Sequence, residues 1–500
     1  MSTDRYTTNP SDAEPVDPAA APDPRRWVAL GVFATATLMV VLDISVINLA
    51  LPDAQAELGM SDVSRGWVVT AYTLAFGGLL LLGGRTGDLV GRKKIFLLGL
   101  AGFAVASMTG GLAPTAGMLF AARGLQGVFA ALLAPAALSL LSVTFVDDRE
   151  RAKAFAVYGA VGGAGGAVGL LLGGLLTEYL NWRWCLFVNV PIALLVAVTA
   201  IPTVRAREPE PGRGRYDLPG AITVTGGSVA LVYGVTLAGE RGDWMTPAPM
   251  ALFAAAVVLL VAFVIIEHRS PSPLLPLRVL TDRLRGGCFA TSGLLSVGMF
   301  AMFLFLSYYL QIDLALSPLM AGLALLPFSS VFIVTAVAAS TLLPRHGPRP
   351  LLVGGMLTAA LGMGWLTWSI QTIGYWPGVF PALVVMGVGL CFVLVPLSSI
   401  ALTGVEPADA GVASALLNAT QQIGGAIGVA LLSTLYTSSL TRSASIGTLT
   451  PDAHLHGYHL VFAVATGFFV AALLAITAAT RARRHPTNIR SDTPKMRQPT

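Results

Sequence analysis

The sequence predicts an all-α polytopic membrane protein, built from two six-helix bundles with two extra helices between them. Of its 500 residues, 55% are hydrophobic and only 11% are charged, whereas soluble proteins carry about 25% charged residues. The mean hydropathy is +0.73. The apolar residues form fourteen runs, each long enough to cross a bilayer core of ~30 Å as a helix. Most of the chain therefore has lipid as its solvent.

Each apolar run must form a helix, because a backbone exposed to lipid has to satisfy its hydrogen bonds within the segment. The run 117–141 contains Arg123 and Pro135 and is still long enough to cross. The fourteen predicted spans are 27–51, 66–83, 95–113, 117–141, 154–177, 184–202, 219–239, 248–266, 287–310, 319–342, 351–370, 376–400, 412–437 and 458–480.

The basic residues assign a side to each connector. An even number of spans places both termini on one side, and 26 of the 31 Lys and Arg residues then lie on that side. Only 4 lie on the opposite side, and Arg123 lies within a span. Because basic connectors face the cytoplasm, we expect a multi-pass protein of the plasma membrane with both termini cytoplasmic. The polar, Pro-rich segment 1–26 is predicted to be a disordered cytoplasmic tail, and 481–500 a second tail.

An internal repeat divides the chain. Residues 165–169 (GGAVG) resemble residues 424–428 (GGAIG), 259 positions later, and Pro135 aligns with Pro396 at an offset of 261. Spans 1–6, within 27–202, and spans 9–14, within 287–480, are interpreted as two copies of one bundle. The linker 203–286 carries the two inserted helices. Two related bundles are what an alternating-access carrier needs, with its binding site at their interface.

Several other classes of protein are disfavoured. The net charge of +5 comes from connectors beside apolar runs, so no nucleic-acid partner is predicted. Cys185, Cys288 and Cys391 are far apart and are expected to be small buried side chains. The three histidines within 454–459 are interpreted as part of a solvated connector rather than a metal site. No cluster of carboxylates, histidines or nucleophiles suggests an enzyme.

Two ionisable residues lie deep inside predicted spans, where a charge is costly unless it is paired or hydrated. At 1.5 Å per residue, Asp43 lies about 12 Å from the outer end of span 1, and Arg123 about 9 Å from the outer end of span 4. The two side chains are therefore expected to face each other or one cavity. The functional hypothesis is that Asp43 binds a proton or a cationic substrate and Arg123 adjusts its proton affinity. The alternative is a fixed structural ion pair.

Amide side chains extend this candidate proton-coupling or substrate-binding site. Gln126 and Asn48 lie at a similar depth on spans 4 and 1. Any one such amide more often forms a hydrogen bond between helices than a contact with a ligand. The same two readings apply to Gln311, Asn418, Gln421 and Gln422.

Residues 84–94 form a charged stretch between two uncharged apolar runs. Its glycines, including Gly87, permit a tight turn. Its carboxylate can cap a neighbouring helix or pair with a cation. Breaking such contacts would shift the balance between inward- and outward-facing states. The residues of this candidate conformational loop are Gly84, Asp88, Gly91, Arg92 and Lys93.

Span 5 carries a face of glycines. Glycine is costly in an exposed helix, so these positions predict close approach of another helix. Such packing suits a seal between two moving bundles, and plain packing of small residues is an equal alternative. The candidate residues are Gly165, Gly169, Gly173 and Gly174.

Five stretches together resemble a known family. Residues 84–93 (GRTGDLVGRK) resemble the loop 2–3 signature of the major facilitator superfamily. Residues 42–52 (LDISVINLALP) resemble the span-1 motif of its fourteen-span drug–proton antiporters, and 123–127 (RGLQG) the span-4 motif of proton coupling. Residues 165–174 (GGAVGLLLGG) resemble the span-5 antiporter motif, and 182–191 (WRWCLFVNVP) the entry to span 6.

Two positions depart from the family pattern. Leu170 follows Gly169 where the antiporter motif usually has proline, which would kink or stiffen span 5. In the second copy of the charged stretch, Pro344 stands where Asp88 would be, so that copy lacks the carboxylate.

The resemblance implies the major facilitator fold and a proton-coupled antiporter that exports small amphipathic or hydrophobic compounds such as drugs or antibiotics. Its expected partners are a small-molecule substrate, protons and the lipid bilayer; a monomer, no cofactor beyond the proton gradient and no enzymatic activity are expected. One alternative is a major-facilitator transporter of a specific metabolite. Another is a non-transporting membrane sensor, which would need a folded accessory domain; no connector exceeds a few dozen residues.

Overall fold

The computed structural model describes residues 25–62, 64–145, 147–204, 217–241, 244–270, 273–275, 282–370, 374–402, 410–445 and 451–481. Within these ranges, fourteen helical segments are long and apolar enough to cross a membrane. Each coincides with one of the fourteen runs, so the predicted all-α fold class and span count are confirmed. The predicted tails lie outside the described residues except for their innermost positions.

The first half of the chain forms six spans. Thr115 precedes the fourth, and its side chain accepts a hydrogen bond from the Met118 backbone nitrogen, a helix cap that satisfies one of the free backbone donors. The sixth span is made by two consecutive helices, α6 and α7. The helices are α1 (Arg26–Leu58), α2 (Trp67–Val90), α3 (Arg92–Gly111), α4 (Ala116–Thr144), α5 (Asp148–Tyr179), α6 (Trp184–Phe187) and α7 (Asn189–Thr203).

The inserted pair is α8 (Leu218–Arg241) and α9 (Pro247–Arg269). The second half follows, and two of its spans include a π-helical turn, Tyr309–Asp313 after α10 and Tyr375–Val379 before α13. Its helices are α10 (Arg283–Tyr308), α11 (Pro318–His346), α12 (Pro348–Ser369), α13 (Phe380–Leu402), α14 (Ala410–Ser445) and α15 (Pro451–Arg481).

Helix packing places α1 centrally. It contacts α4, α5 and α7 of its own half and touches α10 of the second half. The halves meet most extensively where α2 packs on α14 and where α5 packs on α11, and α8 packs on both α2 and α14. Because the spans alternate in direction, α1 begins and α15 ends at the same face, called here the terminal face. The opposite face is the distal face.

The charged stretch 84–94 is mostly helix rather than a loop. Helix α2 continues to Val90 and α3 begins at Arg92, so only Gly91 interrupts them. Its φ of 110° is one that glycine adopts without a Cβ penalty. The predicted turn at Gly84 and Gly87 is therefore wrong, because the backbone keeps its helical hydrogen bonds and carries the charges beyond the apolar run.

The end of α2 and start of α3 are repeated 256 positions later, the distance that separates Asp88 from its counterpart Pro344 in the sequence. Gly347, with φ of 75°, is the single residue between α11 and α12, as Gly91 is between α2 and α3. In the first copy, Lys93 Nζ donates to the Ile201 carbonyl at 2.7 Å and ties α3 to α7. The side chain of Asp88 lies outside the described residues, so its role in capping a helix or pairing with a cation stays a prediction.

Candidate functional site

Asp43 on α1 and Arg123 on α4 form a buried ion pair. Arg123 Nη1 donates to Asp43 Oδ2 at 2.5 Å, and the two side chains are 1% (Arg123) and 0% (Asp43) exposed. Arg123 Nε also donates to the Val68 carbonyl at 2.9 Å. The guanidinium carbon lies 4.5 Å from the centre of the Tyr72 ring, within the range of a cation–π contact. The expectation from helical rise that the two side chains face each other therefore agrees with the structure.

Neutral donors complete the surroundings of Asp43. Gln126 Nε2 donates to Asp43 Oδ1 at 3.1 Å, and Asn189 Nδ2, at the start of α7, donates to the same oxygen at 2.7 Å. Gln126 Nε2 also lies 2.7 Å from Ser107 Oγ on α3, and its Oε1 accepts from Arg123 Nη1 at 2.9 Å. We call Asp43, Ser107, Arg123, Gln126 and Asn189 the Asp43 cluster. Helices α1, α3, α4 and α7 each contribute to it.

The Asp43 cluster is arranged for an ionised carboxylate, because three groups donate to its two oxygens. Hydrogen bonds to a charged acceptor are about twice as strong as neutral ones. The cluster also contains one unused acceptor, since Asn189 Oδ1 is buried without a hydrogen-bond partner in the described structure. A protonated carboxyl becomes a donor and requires an acceptor. Rotation of the Asn189 amide would supply one without opening the cluster.

The glycines of α5 bring this helix against α1 beside Asp43. A Cβ atom added at Gly169 would lie 2.6 Å from Ser45 Cβ, closer than such atoms approach. Gly174 instead faces the second half, where an added Cβ would lie 2.7 Å from Leu319 Cα on α11. Helix α5 is thus packed tightly between α1 and α11. The residues that face α1 are Gly165, Gly169 and Gly173.

A second polar cluster joins the two halves at the distal face. Arg65, just before α2, is 2% exposed, and its Nη1 donates to Asp62 Oδ1 at 2.8 Å and to Gln55 Oε1 at 3.2 Å. Its guanidinium carbon lies 3.8 Å from the centre of the Tyr308 ring on α10. The Tyr308 hydroxyl donates to Gln55 Oε1 at 2.8 Å. We call the set the Arg65 cluster; it also includes Phe305 and Tyr436, whose ring centres lie 5.8 and 5.4 Å from the guanidinium carbon.

Further contacts join the two halves at the distal face. Glu178, near the end of α5, accepts hydrogen bonds from Ser317 Oγ at 2.6 Å and from the Leu319 nitrogen at 3.0 Å, both at the start of α11. A cleft of about 520 Å³ beside the Arg65 cluster is lined by both halves, including Pro52, Met60 and Ile312. The structure therefore represents a state in which the halves are closed on each other at the distal face.

Comparison with known proteins supports the resemblance found in the sequence. A family profile described as Major Facilitator Superfamily matches residues 33–429. The chain belongs to the major facilitator superfamily. Its fourteen spans and its relatives place it with the fourteen-span drug exporters of that superfamily.

The relatives of this major-facilitator transporter include antibiotic resistance and export proteins. The puromycin resistance protein of Streptomyces alboniger is 49% identical over 465 residues, covering 91% of this chain and 92% of that protein. The cephamycin export protein of Amycolatopsis lactamdurans is 40% identical, with coverages of 83% and 86%. The lincomycin resistance protein of Streptomyces lincolnensis is 34% identical, with coverages of 93% and 94%. The chain is thus a membrane transporter and not an enzyme.

Solved structures show the same fold at low sequence identity. A bacterial homolog of the human lysosomal transporter Spinster has a TM-score of 0.67 and 16% identity, covering 92% of this transporter and 98% of that chain. The major facilitator fold expected from the sequence is therefore confirmed.

The transporter brings together some of the candidates named from sequence and separates others. Asp43, Arg123 and Gln126 meet, but Asn48 is not part of the Asp43 cluster. Its side chain donates to the Ile44 carbonyl of its own helix at 3.1 Å, and its own carbonyl accepts from Ser307 Oγ on α10 at 2.9 Å. Asn48 is therefore part of a contact between halves. The functional roles of all these residues stay predictions.

Sequence reasoning missed several participants. Asn189 was noted only within a motif, although an amide at the start of an apolar span was a usable signal. The sequence contains no usable signal for Ser107 and Tyr72, since a hydroxyl side chain in an apolar run is common and the sequence does not show which way it points from its helix. Arg65 is one of the four basic residues that the sequence places on the outer side, and nothing local marks it further, because its aromatic partners lie more than 200 positions away in the chain.

Proposed function

We propose that this transporter exports a small amphipathic or hydrophobic compound, of the drug or antibiotic class, in exchange for protons by alternating access. The observation that carries the proposal is the buried Asp43–Arg123 pair inside a span, surrounded by neutral donors. Buried ionisable groups inside membrane spans are costly and mark ion or proton pathways. The relatives that are named for resistance to or export of antibiotics support the substrate class.

Proton binding at Asp43 would remove the charge that holds Arg123. The carboxyl group would then donate to the free Asn189 oxygen, and Arg123 would keep its bonds to Gln126 Oε1 and the Val68 carbonyl. A guanidinium that has lost its counter-ion in a dry site strongly favours a rearrangement that hydrates it. Protonation of Asp43 therefore favours a different arrangement of α1 and α4, which is the basis of coupling.

The excess of basic residues on the terminal face supports a cytoplasmic position for both termini. The distal face is then extracellular, and the structure corresponds to a state closed to the outside. In this proposal the Arg65 cluster is the outer gate. Export requires it to open, since the substrate must leave between the halves. The transporter is expected to work as a monomer in the plasma membrane, with the proton gradient as its energy source and no bound cofactor.

Transport in everted vesicles tests the proposal. Puromycin is the first probe, because it appears in the name of a 49% identical relative. In vesicles with an acidic lumen, the transporter should accumulate puromycin, and adding puromycin should release protons, detected by a pH-sensitive dye. Cephamycin, lincomycin and tetracenomycin C are the next probes, for the same reason.

A control variant tests whether a loss of coupling is specific to Asp43 or follows from removing any carboxylate. Asp43→Asn should abolish substrate-driven proton release. Asp282→Asn should keep it, because Asp282 is an exposed cap at the start of α10 that accepts from the Arg285 nitrogen. Accumulation that persists after the pH gradient is collapsed, or unchanged coupling in Asp43→Asn, would show that protons at Asp43 do not drive export.

A further inference from the structure

Two buried carboxylates lie where the inserted helices α8 and α9 reach the terminal face. Asp217 directly precedes α8, and its Oδ1 accepts from the Gly220 nitrogen at 2.8 Å. Glu267 lies in the last turn of α9, and its Oε2 accepts from the Leu275 nitrogen at 3.0 Å. The two residues are 5% and 3% exposed. Together they connect α8, α9 and the segment 273–275, which leads towards the second half.

The second oxygen of each carboxylate is buried and unpaired. Neither Asp217 Oδ2 nor Glu267 Oε1 has a hydrogen-bond partner in the described structure. Both oxygens approach Gly220: a Cβ atom added there would lie 3.0 Å from Asp217 Oδ2 and 2.9 Å from Glu267 Oε1. Because both oxygens lie that close to one point, no more than 5.9 Å separates them.

No positive charge compensates this pair within the described ranges. The groups that face the carboxylates are backbone N–H groups, of Gly220 on α8 and of Leu274 and Leu275 in segment 273–275. His268 and Arg269, which follow Glu267 on α9, form no ion pair with either carboxylate, and neither do the described side chains of α2 and α14, which pack on α8.

Two ionised carboxylates this close in a buried site repel each other, so one of them is expected to hold a proton. A protonated carboxyl has an O–H donor, and the unpaired oxygen of its neighbour is an acceptor. A metal ion fits less well, since calcium takes 6–8 oxygen ligands. The described residues contain no group of three or more metal-binding side chains.

We propose that Asp217 and Glu267 jointly bind one proton, at a site separate from the Asp43 cluster. The shared proton holds α8, α9 and segment 273–275 together at the terminal face. At neutral pH the folded protein keeps a proton here that the unfolded chain has already released, since unperturbed carboxyls lose their protons near about pH 4, so the folded state binds more protons. The stabilisation is therefore present at low pH and is lost as the pH rises past the value at which the folded pair releases its proton.

Infrared spectroscopy of the purified full-length transporter tests the proposal without measuring transport. A protonated carboxyl has a carbonyl stretch distinct from that of a carboxylate, and this stretch shifts in D2O. Wild type should show this band at pH 7. Glu267→Gln and Asp217→Asn should each lose the intensity of one carboxyl, because removing either partner removes the repulsion that retains the proton. Asp282→Asn, which changes an exposed cap, should keep the band.

Thermal unfolding gives an independent readout. Both amide variants keep an acceptor for the backbone N–H groups and should fold. The melting temperature of wild type should fall as the pH rises, and Glu267→Gln should flatten this dependence. A band that survives Asp217→Asn, or no difference between wild type and the variants, would overturn the shared proton. A loss of the band with a rise in melting temperature on adding Na⁺ or Ca²⁺ at fixed pH would assign the site to a metal ion instead.

Discussion

The buried Asp43–Arg123 pair predicts that substitutions of its two members are strongly non-additive. Asp43→Asn removes the negative charge and leaves Arg123, whose side chain is 1% exposed, without a counter-ion. The new amide also presents an NH2 group where three donors converge. Removing one partner of a buried pair costs about 3–5 kcal/mol. Arg123→Gln leaves the Asp43 charge without its cation and should cost a similar amount.

The double variant should be less damaging than the two single losses suggest. With both changes the site is neutral, and amide groups can hydrogen-bond to each other and to Gln126 and Asn189. We therefore expect the loss in free energy of unfolding to be about 2–3 kcal/mol smaller than the sum of the single losses. Unfolding in mixed micelles titrated with a denaturing detergent, followed by tryptophan fluorescence, measures these differences.

The matched control is the pair of Arg26 and Glu150, which also joins two helices of the first half. Their atoms lie 2.7 Å apart, but the side chains are 14% and 32% exposed at the terminal face. The same cycle there should give about 0–1 kcal/mol of coupling. Additive losses at Asp43 and Arg123, within about 0.5 kcal/mol, would refute the reasoning that the two charges depend on each other.

Three other predictions test the packing, the outer gate and the cluster. Gly169→Ala should cost about 1–3 kcal/mol of stability in thermal unfolding because its Cβ would meet α1, while Gly166→Ala, whose nearest neighbour is 4.0 Å away, should be neutral or slightly stabilising. Arg65→Gln should weaken the contact between the halves at the distal face, and a cysteine introduced at Ser433, next to this contact, reports the change by its labelling rate. The rate should rise about tenfold or more, since a desolvated cation–π contact is worth about 2 kcal/mol. An unchanged labelling rate would show that Arg65 does not hold the gate closed. Asn189→Leu should cost about 1–3 kcal/mol, from one lost donor to a buried charge, and should weaken substrate-driven proton release in vesicles; normal release would show that its free oxygen is not the proton acceptor.

Much of the fold followed from the sequence because lipid imposes a simple rule on the chain. Each span had to be apolar and helical, and a charge such as Asp43 or Arg123 stood out against that background. Helical rise alone then placed both at a similar depth. The charged stretch 84–94 was interpreted wrongly, because charge was equated with a loop. A helix can carry its charges beyond the apolar layer, and only Gly91 breaks it.

The rest of the site depends on helix rotation and on contacts between distant segments. Ser107 reaches Gln126 only because α3 turns that face towards α4. Asn48 has the right depth but points along its own helix. The aromatic partners of Arg65 come from α10 and α14. No local sequence pattern indicates which aromatic side chain will face a given arginine. Such pairings are decided by tertiary packing.

Helix α1 physically connects the proposed proton site to the proposed outer gate, the Arg65 cluster. Asp43, Asn48 and Gln55 lie along this one helix, and Asp43 and Gln55 are about 18 Å apart at 1.5 Å per residue. Asn48 accepts from α10, and Gln55 accepts from both Arg65 and Tyr308. The glycines of α5 leave no gap in which α1 could shift by itself towards α5. A change in the protonation of Asp43 that displaces α1 is therefore expected to alter its contacts with α10 as well, which couples proton binding and release at Asp43 to closing and opening of the distal face.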